Sequence, residues 1–177
     1  MTAIRDLSAA ELGERYAGRK LSPVEATQAA LDRIDVWDAS LNAIYILHRE
    51  QALKDAKAAE RRWRKGRPLS AIDGVPVTIK ENLATRGDPA PVGTGANSLD
   101  PKPADSPVAA RLRESGAVIL AKTTMPDFGM LSSGLSSLHG VTRNPWDLSK
   151  NTSGSSSGAA AAVVAGYGPL HVGTDIG

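Results

Sequence analysis

The chain has 177 residues, 41% of them apolar and 23% charged, with a formal net charge of +2; this suits one domain with its own core and gives no pointer to nucleic acid. It contains no Cys, which excludes a disulfide framework, a thiolate metal site and a thiol nucleophile. No apolar segment opens it and no apolar run reaches membrane-spanning length, so a soluble, cytoplasmic protein without a membrane partner is the expectation.

Ser8 predicts the N-cap of a first helix, with Glu11 three residues on as its capping-box partner. Ser22, Pro23 and Glu25 repeat the signal for a second helix over residues 23–38. Its Val24, Thr27, Ala30, Leu31 and Ile34 fall near helical spacing, so one face should pack. Residues 43–47 (AIYIL) read as a strand, and a third helix follows over about 49–65. That helix ends in the one dense basic cluster, residues 61–67, with Trp63 interleaved. The cluster fits an anionic or nucleic-acid contact, but one short cluster is the ordinary look of a helix C-terminus. There cations meet the negative end of the dipole and Gly66 stops the helix.

From about residue 70 the texture becomes alternating strand and helix. Residues 74–80 (GVPVTIK) read as a buried strand, 87–107 as a Pro- and Gly-rich loop, 107–116 as a short helix and 117–122 as a second buried strand. Strand, helix, strand in that order predicts an α/β sheet with parallel elements. A Ser- and Gly-rich stretch, 129–158, runs into a small-residue helix over 158–166, and 169–177 reads as a strand ending in a tight Gly turn. The expected organisation is a single domain: a mainly helical region over 1–68, then an α/β core over 69–177.

The phosphate-binding, dinucleotide, H-E-x-x-H, EF-hand and G-x-S-x-G motifs are all absent. His48, His139 and His171 are scattered and read as structural, and Asn151-Thr152-Ser153 as a chance match to a glycosylation acceptor. Two features remain. The run Ser153-Gly154-Ser155-Ser156-Ser157-Gly158 is either a flexible linker or a hydroxyl cluster at a helix N-terminus, where developing negative charge is favoured. Lys80 closes a run of Val, Val and Ile. It either snorkels to the strand end or is buried, and a buried lysine has a lowered pKa and can act as a base toward a Ser hydroxyl.

These two features carry a resemblance. Residues 73–82 (DGVPVTIKEN) resemble the lysine motif of the amidase signature family, and 139–147 (HGVTRNPWD), the Ser/Gly run and 169–177 (PLHVGTDIG) resemble its signature block. The resemblance covers the chain from about residue 20 onward and implies the amidase-signature fold, a mixed β-sheet flanked by helices behind a helical N-terminal region. It implies a Ser–Ser–Lys triad in which Lys80 is the base and Ser155, following a cis peptide bond, is the bridging serine. The nucleophilic serine is expected two residues after Gly177, so the core is expected to be incomplete as written and the 177 residues alone inactive. Thr174, Asp175, Ile176 and Gly177 match the turn that forms the oxyanion hole, and Met130 and Ser132 match acyl-pocket positions. Ser153 and Ser157 stand where the family commonly has glycine.

The implied activity is hydrolysis of a carboxylic amide through an acyl-enzyme, with a small-molecule amide as substrate and no metal or organic cofactor. An alternative is the glutamine-hydrolysing subunit of a tRNA-dependent amidotransferase, the one reading that brings in nucleic acid. A non-catalytic truncated module is the third, and a homodimer stays open. The strand ending at Lys80 is expected to need sheet neighbours from beyond Gly177.

Overall fold

The computed structural model describes residues 2–175. A 3-10 turn, Ile4–Asp6, leads into α1 (Ala9–Ala17). Both Ser-x-x-Glu signals form capping boxes: Ser8 Oγ accepts from Glu11 N while the Glu11 carboxylate accepts from Ser8 N, and Ser22 and Glu25 do the same at α2 (Pro23–Leu41). The second helix runs three residues past its sequence expectation. It stops where Asn42 takes a left-handed conformation (φ 52°), which asparagine tolerates better than most side chains.

The remaining elements are β1 (Ile44–Leu47), α3 (Arg49–Arg64), β2 (Pro76–Lys80), α4 (Pro107–Glu114) and β3 (Val118–Thr123). Then come a 3-10 turn (Asp127–Gly129) and four short strands, β4 (Leu135–Ser136), β5 (Gly140–Val141), β6 (Arg143–Asn144) and β7 (Asp147–Asn151), followed by α5 (Ser157–Ala165) and β8 (Leu170–Val172). The Ser- and Gly-rich stretch is therefore not featureless: β4 pairs with β5 and β6 with β7, both antiparallel. No helix among the described residues is long and apolar enough to cross a membrane.

Within the described residues the main sheet is mixed, in the order β1-β3-β2-β8. Strand β1 runs antiparallel to β3, while β2 runs parallel to β3 (Lys80 opposite Thr123) and to β8 (Ile79 opposite Val172). Every residue of β2 and β3 is buried, as their near-continuous apolar runs require of strands covered on both faces. The expectation that β2 needs partners from beyond Gly177 is corrected: β3 and β8 flank it on both sides.

With few aromatics available, alanine does much of the packing. Ala161, Ala162 and Ala165 of α5 meet Leu31 and Ile34 of α2, Leu120 of β3 and the fully buried Tyr167. Small side chains let helix and sheet backbones approach closely, and that closeness positions the site below.

The basic cluster resolves into structure. Arg62 donates from Nε and Nη2 to the fully buried Asp73 carboxylate at 2.8 and 2.5 Å, and Leu69 N donates to the same group at 2.9 Å. Trp63 Nε1 donates to Asp73 O at 2.8 Å and its ring meets Tyr16 edge-on, while Arg64 pairs with Glu60. The end of α3 is thus anchored to the turn that feeds β2. Asp73→Asn strips the guanidinium of its carboxylate and is expected to lower stability by about 2–3 kcal/mol in equilibrium urea unfolding. The exposed Arg61→Ala and Lys65→Ala should stay within about 0.5 kcal/mol of the parent.

Candidate active site

Strand β2 delivers Lys80 at its C-terminal end, fully buried. Its Nζ donates to Ser155 Oγ at 2.7 Å and to Thr174 Oγ1 at 2.8 Å. Burial lowers the Lys80 pKa from that of an ordinary lysine, with the charge of Asp175 acting in the opposite direction. An amine out of water and held by two hydroxyls is in surroundings that favour its neutral form.

Ser155 is carried to the lysine by the approach to α5. The Gly154–Ser155 peptide is cis. Gly154 sits against the chain at 131–133, where a Cβ would lie 2.5 Å from Leu131 O and 2.7 Å from Ser133 O. Four residues on, a Cβ at Gly158 would run into Ala43 O and lie 2.5 Å from Thr124 N. Only glycine lets the first turn of α5 press onto the chain beside β1 and β3. Ser157, buried, points its hydroxyl at Thr124 O over 3.4 Å. Ser156 at the N-cap makes no capping bond; its Oγ accepts from Thr174 N at 3.2 Å and donates to Thr174 O at 3.3 Å. Thr174 therefore spends its amide on shaping the turn.

A cleft of about 530 Å³ opens over these groups, lined by Met130, Ser132, Ser153, Ser155, Thr174 and Asp175 among others. The fold thus gathers the expected Lys80, Ser155, Thr174, Asp175, Met130 and Ser132 in one place, with Met130 75% exposed at the rim. Ile176 and Gly177 lie outside the described residues. A wider groove of about 730 Å³ beside α1 and α3 is lined by Arg19, Glu60, Trp63 and Arg64. It offers no comparable pairing of amine and hydroxyl, and its Arg19 and Arg64 are engaged with Arg64 O and Glu60.

Two of the three histidines, His171 and His139, make side-chain hydrogen bonds. His171 is sandwiched between Thr78 Oγ1 and Gly168 O, each at 2.8 Å, and burial lowers its pKa. His48 lies 3.0 Å from Asp88. His139 bonds the fully buried Glu81, which also accepts from Gly93 N at 2.9 Å. A second buried lysine, Lys122, stands opposite Ile79 rather than Lys80 and donates to Leu83 O, its pKa pushed down by burial to about 8. No three His, Asp or Glu side chains among the described residues are gathered as metal ligands.

Two members of the site carried no role in the sequence. Ser153 lines the cleft. Asn82 approaches Thr174, its Nδ2 3.4 Å from Oγ1. Asn82 carried no local signal: it lies in the turn that follows β2, beyond the strand's alternation, and its neighbour Thr174 is 92 residues away.

The amidase family model matches residues 25–177. The chain is 43% identical over its whole length to a glutamyl-tRNA(Gln) amidotransferase subunit from Salinispora arenicola, covering 36% of that relative. Among solved structures it is similar to fatty acid amide hydrolase, with a TM-score of 0.93 at 28% identity over 98% of this chain and 31% of that one. It is also similar to a bacterial aryl acylamidase, with a TM-score of 0.87 at 32% identity over 93% of this chain and 34% of the other. The chain spans little more than a third of the curated relatives it matches. Motifs, architecture and comparisons agree, and the chain belongs to the amidase signature family.

Proposed function

We propose that this site hydrolyses a carboxylic amide through a serine acyl-enzyme, with Lys80 as base and Ser155 as proton bridge. The observation that carries the reading is the buried Lys80 amine 2.7 Å from Ser155 Oγ. In the neutral amine that hydrogen bond reverses: the Ser155 O–H donates to the Nζ lone pair, and Ser155 Oγ can then accept a proton from a second serine. That serine is the one expected two residues past Gly177. Its oxygen attacks the amide carbon as its proton passes through Ser155 to Lys80. Collapse of the tetrahedral species breaks the C–N bond, and the proton returns through Ser155 to the leaving amine. Water then cleaves the ester by the same relay. Backbone amides of Ile176, Gly177 and their successors are assigned to the oxyanion.

In the protein carried on past Gly177 through that serine, Lys80→Ala and Ser155→Ala should each lower kcat/KM for an amide by roughly 10²–10⁴-fold with the fold intact by circular dichroism. Retained turnover in Lys80→Ala would mean that another base serves. A fluorophosphonate probe should label the serine beyond Gly177 and leave Ser155 unlabelled; a Ser155 adduct would reverse the two serine roles.

The lysine must be neutral to act. Activity should therefore rise with pH as Lys80 loses its proton and level off above its pKa, and burial places that midpoint below the 10.5 of an ordinary lysine. A kcat/KM profile whose acid limb lies at or above 10.5 would contradict a desolvated base.

A second reading is favoured by one finding, the name of the relatives at 42–43% identity. On that reading the amide is glutamine and the ammonia passes to a partner that holds acyl-tRNA. Release of ammonia from glutamine that rises on adding tRNA together with the partner proteins supports it. Turnover of simple aliphatic or aryl amides by the isolated protein supports the general hydrolase.

A further inference from the structure

We infer that Asn82 is a positioning residue for the base, fixing through Thr174 the direction in which the hydrogen bonds around Lys80 run. The inference rests on the reading of Lys80 as the base.

The backbone around Asn82 is pinned on both sides. Glu81 N donates to Thr123 O at 3.0 Å, Leu83 N to Lys80 O at 3.1 Å, and the Lys122 amine holds Leu83 O. The Glu81 side chain is fixed by Gly93 N and His139. Asn82 thus leaves the end of β2 in a set orientation, and its carboxamide meets Thr174. Its Oδ1 is buried and accepts no hydrogen bond among the described residues, so the contact to Thr174 Oγ1 is the polar interaction its side chain makes there.

The consequence lies in proton counting. A neutral amine has two N–H groups and one lone pair. Lys80 can take a proton from Ser155 only if that lone pair faces Ser155, so the bond to Thr174 must run from Lys80 N–H to the threonine oxygen. A threonine hydroxyl can equally donate, and a Thr174 O–H aimed at Nζ would occupy the lone pair and silence the base. In the arrangement held here, Asn82 Nδ2 and Lys80 Nζ both donate to Thr174 Oγ1. Both acceptor positions of the hydroxyl are filled and its proton is turned away from the lysine. Asn82 reaches the reacting atoms through Thr174, which is why it positions rather than catalyses. Asp175 is the charged group whose field acts on Lys80, so a charge introduced at position 82 would be felt beside it.

The test uses the full-length protein, which includes the expected serine and the chain beyond it, with steady-state kinetics on an amide that the parent hydrolyses and urea midpoints to show folding. Asn82→Ala is expected to lower kcat roughly 10–100-fold with KM within about twofold, and to slow fluorophosphonate labelling in parallel. Asn82→Asp keeps the shape and adds a negative charge near the amine. It should retain the fold and move the acid limb of kcat/KM up by about one pH unit. It serves as the test on its own if the alanine variant does not fold. An Asn82→Ala effect confined to KM would assign Asn82 to substrate binding and overturn the inference, as would an Asn82→Asp profile superimposable on the parent's. Full turnover in Lys80→Ala would instead remove the base itself, a failure distinguishable from either result at Asn82.

Discussion

One hydrogen bond organises this structure: Lys80 Nζ to Ser155 Oγ, between residues 75 positions apart in sequence. An ammonium taken out of water is expensive unless it is paired, and a lysine in that position lowers its pKa instead. The sheet shows two ways of keeping a buried lysine. Lys122, on the neighbouring strand, donates to the Leu83 carbonyl, with the charges of Asp88, Glu81 and Asp105 favouring its protonated form. Lys80 meets two hydroxyls. A carbonyl can accept from an amine but cannot give it a proton; a hydroxyl can do both. Of two buried amines on adjacent strands, Lys80 is the one whose partners allow proton transfer.

That bond exists because α5 comes unusually close to the sheet. Gly154 and Gly158 stand where a Cβ would penetrate the backbone at 131–133 and at Ala43 and Thr124. Interiors at crystal-like density do not absorb such intrusions without moving the backbone, and any such movement displaces Ser155, which lies between the two glycines. The alanines of α5 extend the same close contact into the core. The position of Ser155 at the helix start therefore depends on close packing at these two glycines.

What could be read from the sequence was local. The capping boxes at Ser8 and Ser22 need only a serine and a glutamate three residues apart, and both form. The buried strands declared themselves as near-continuous apolar runs. The two-residue strands β4, β5 and β6 are too short to show a period, so the hairpins between 135 and 151 were invisible as such. The pairing of β2 with β8 was also hidden, because the three residues of β8 lie more than ninety positions from their partners in β2. Asn82 illustrates the same limit within the site. Its neighbour Thr174 is 92 residues away, and nothing in the local pattern distinguishes it from a polar residue ending a strand. The linker reading of the Ser/Gly run failed for a related reason: flexibility is a property of composition only where nothing packs against the chain, and here Ser155, Ser156 and Ser157 each hold a hydrogen bond to a different partner.

The four serines of that run show how similar residues divide their work. Ser153 is exposed along the cleft wall, Ser155 faces Lys80, Ser156 ties down the Thr174 turn, and Ser157 is buried against Thr124 O. Serine in place of glycine at 153 and 157 thus has unlike consequences. At 157 the added hydroxyl finds a backbone acceptor inside the fold, so the replacement is absorbed by packing and leaves the cleft untouched. At 153 the residue is exposed and lines the cleft, where a hydroxyl adds polarity to a wall that glycine would leave bare. The first serine belongs to the anchoring of α5; the second belongs to the cleft wall. Neighbouring serines of one run thus serve the interior at one position and the open cleft at another.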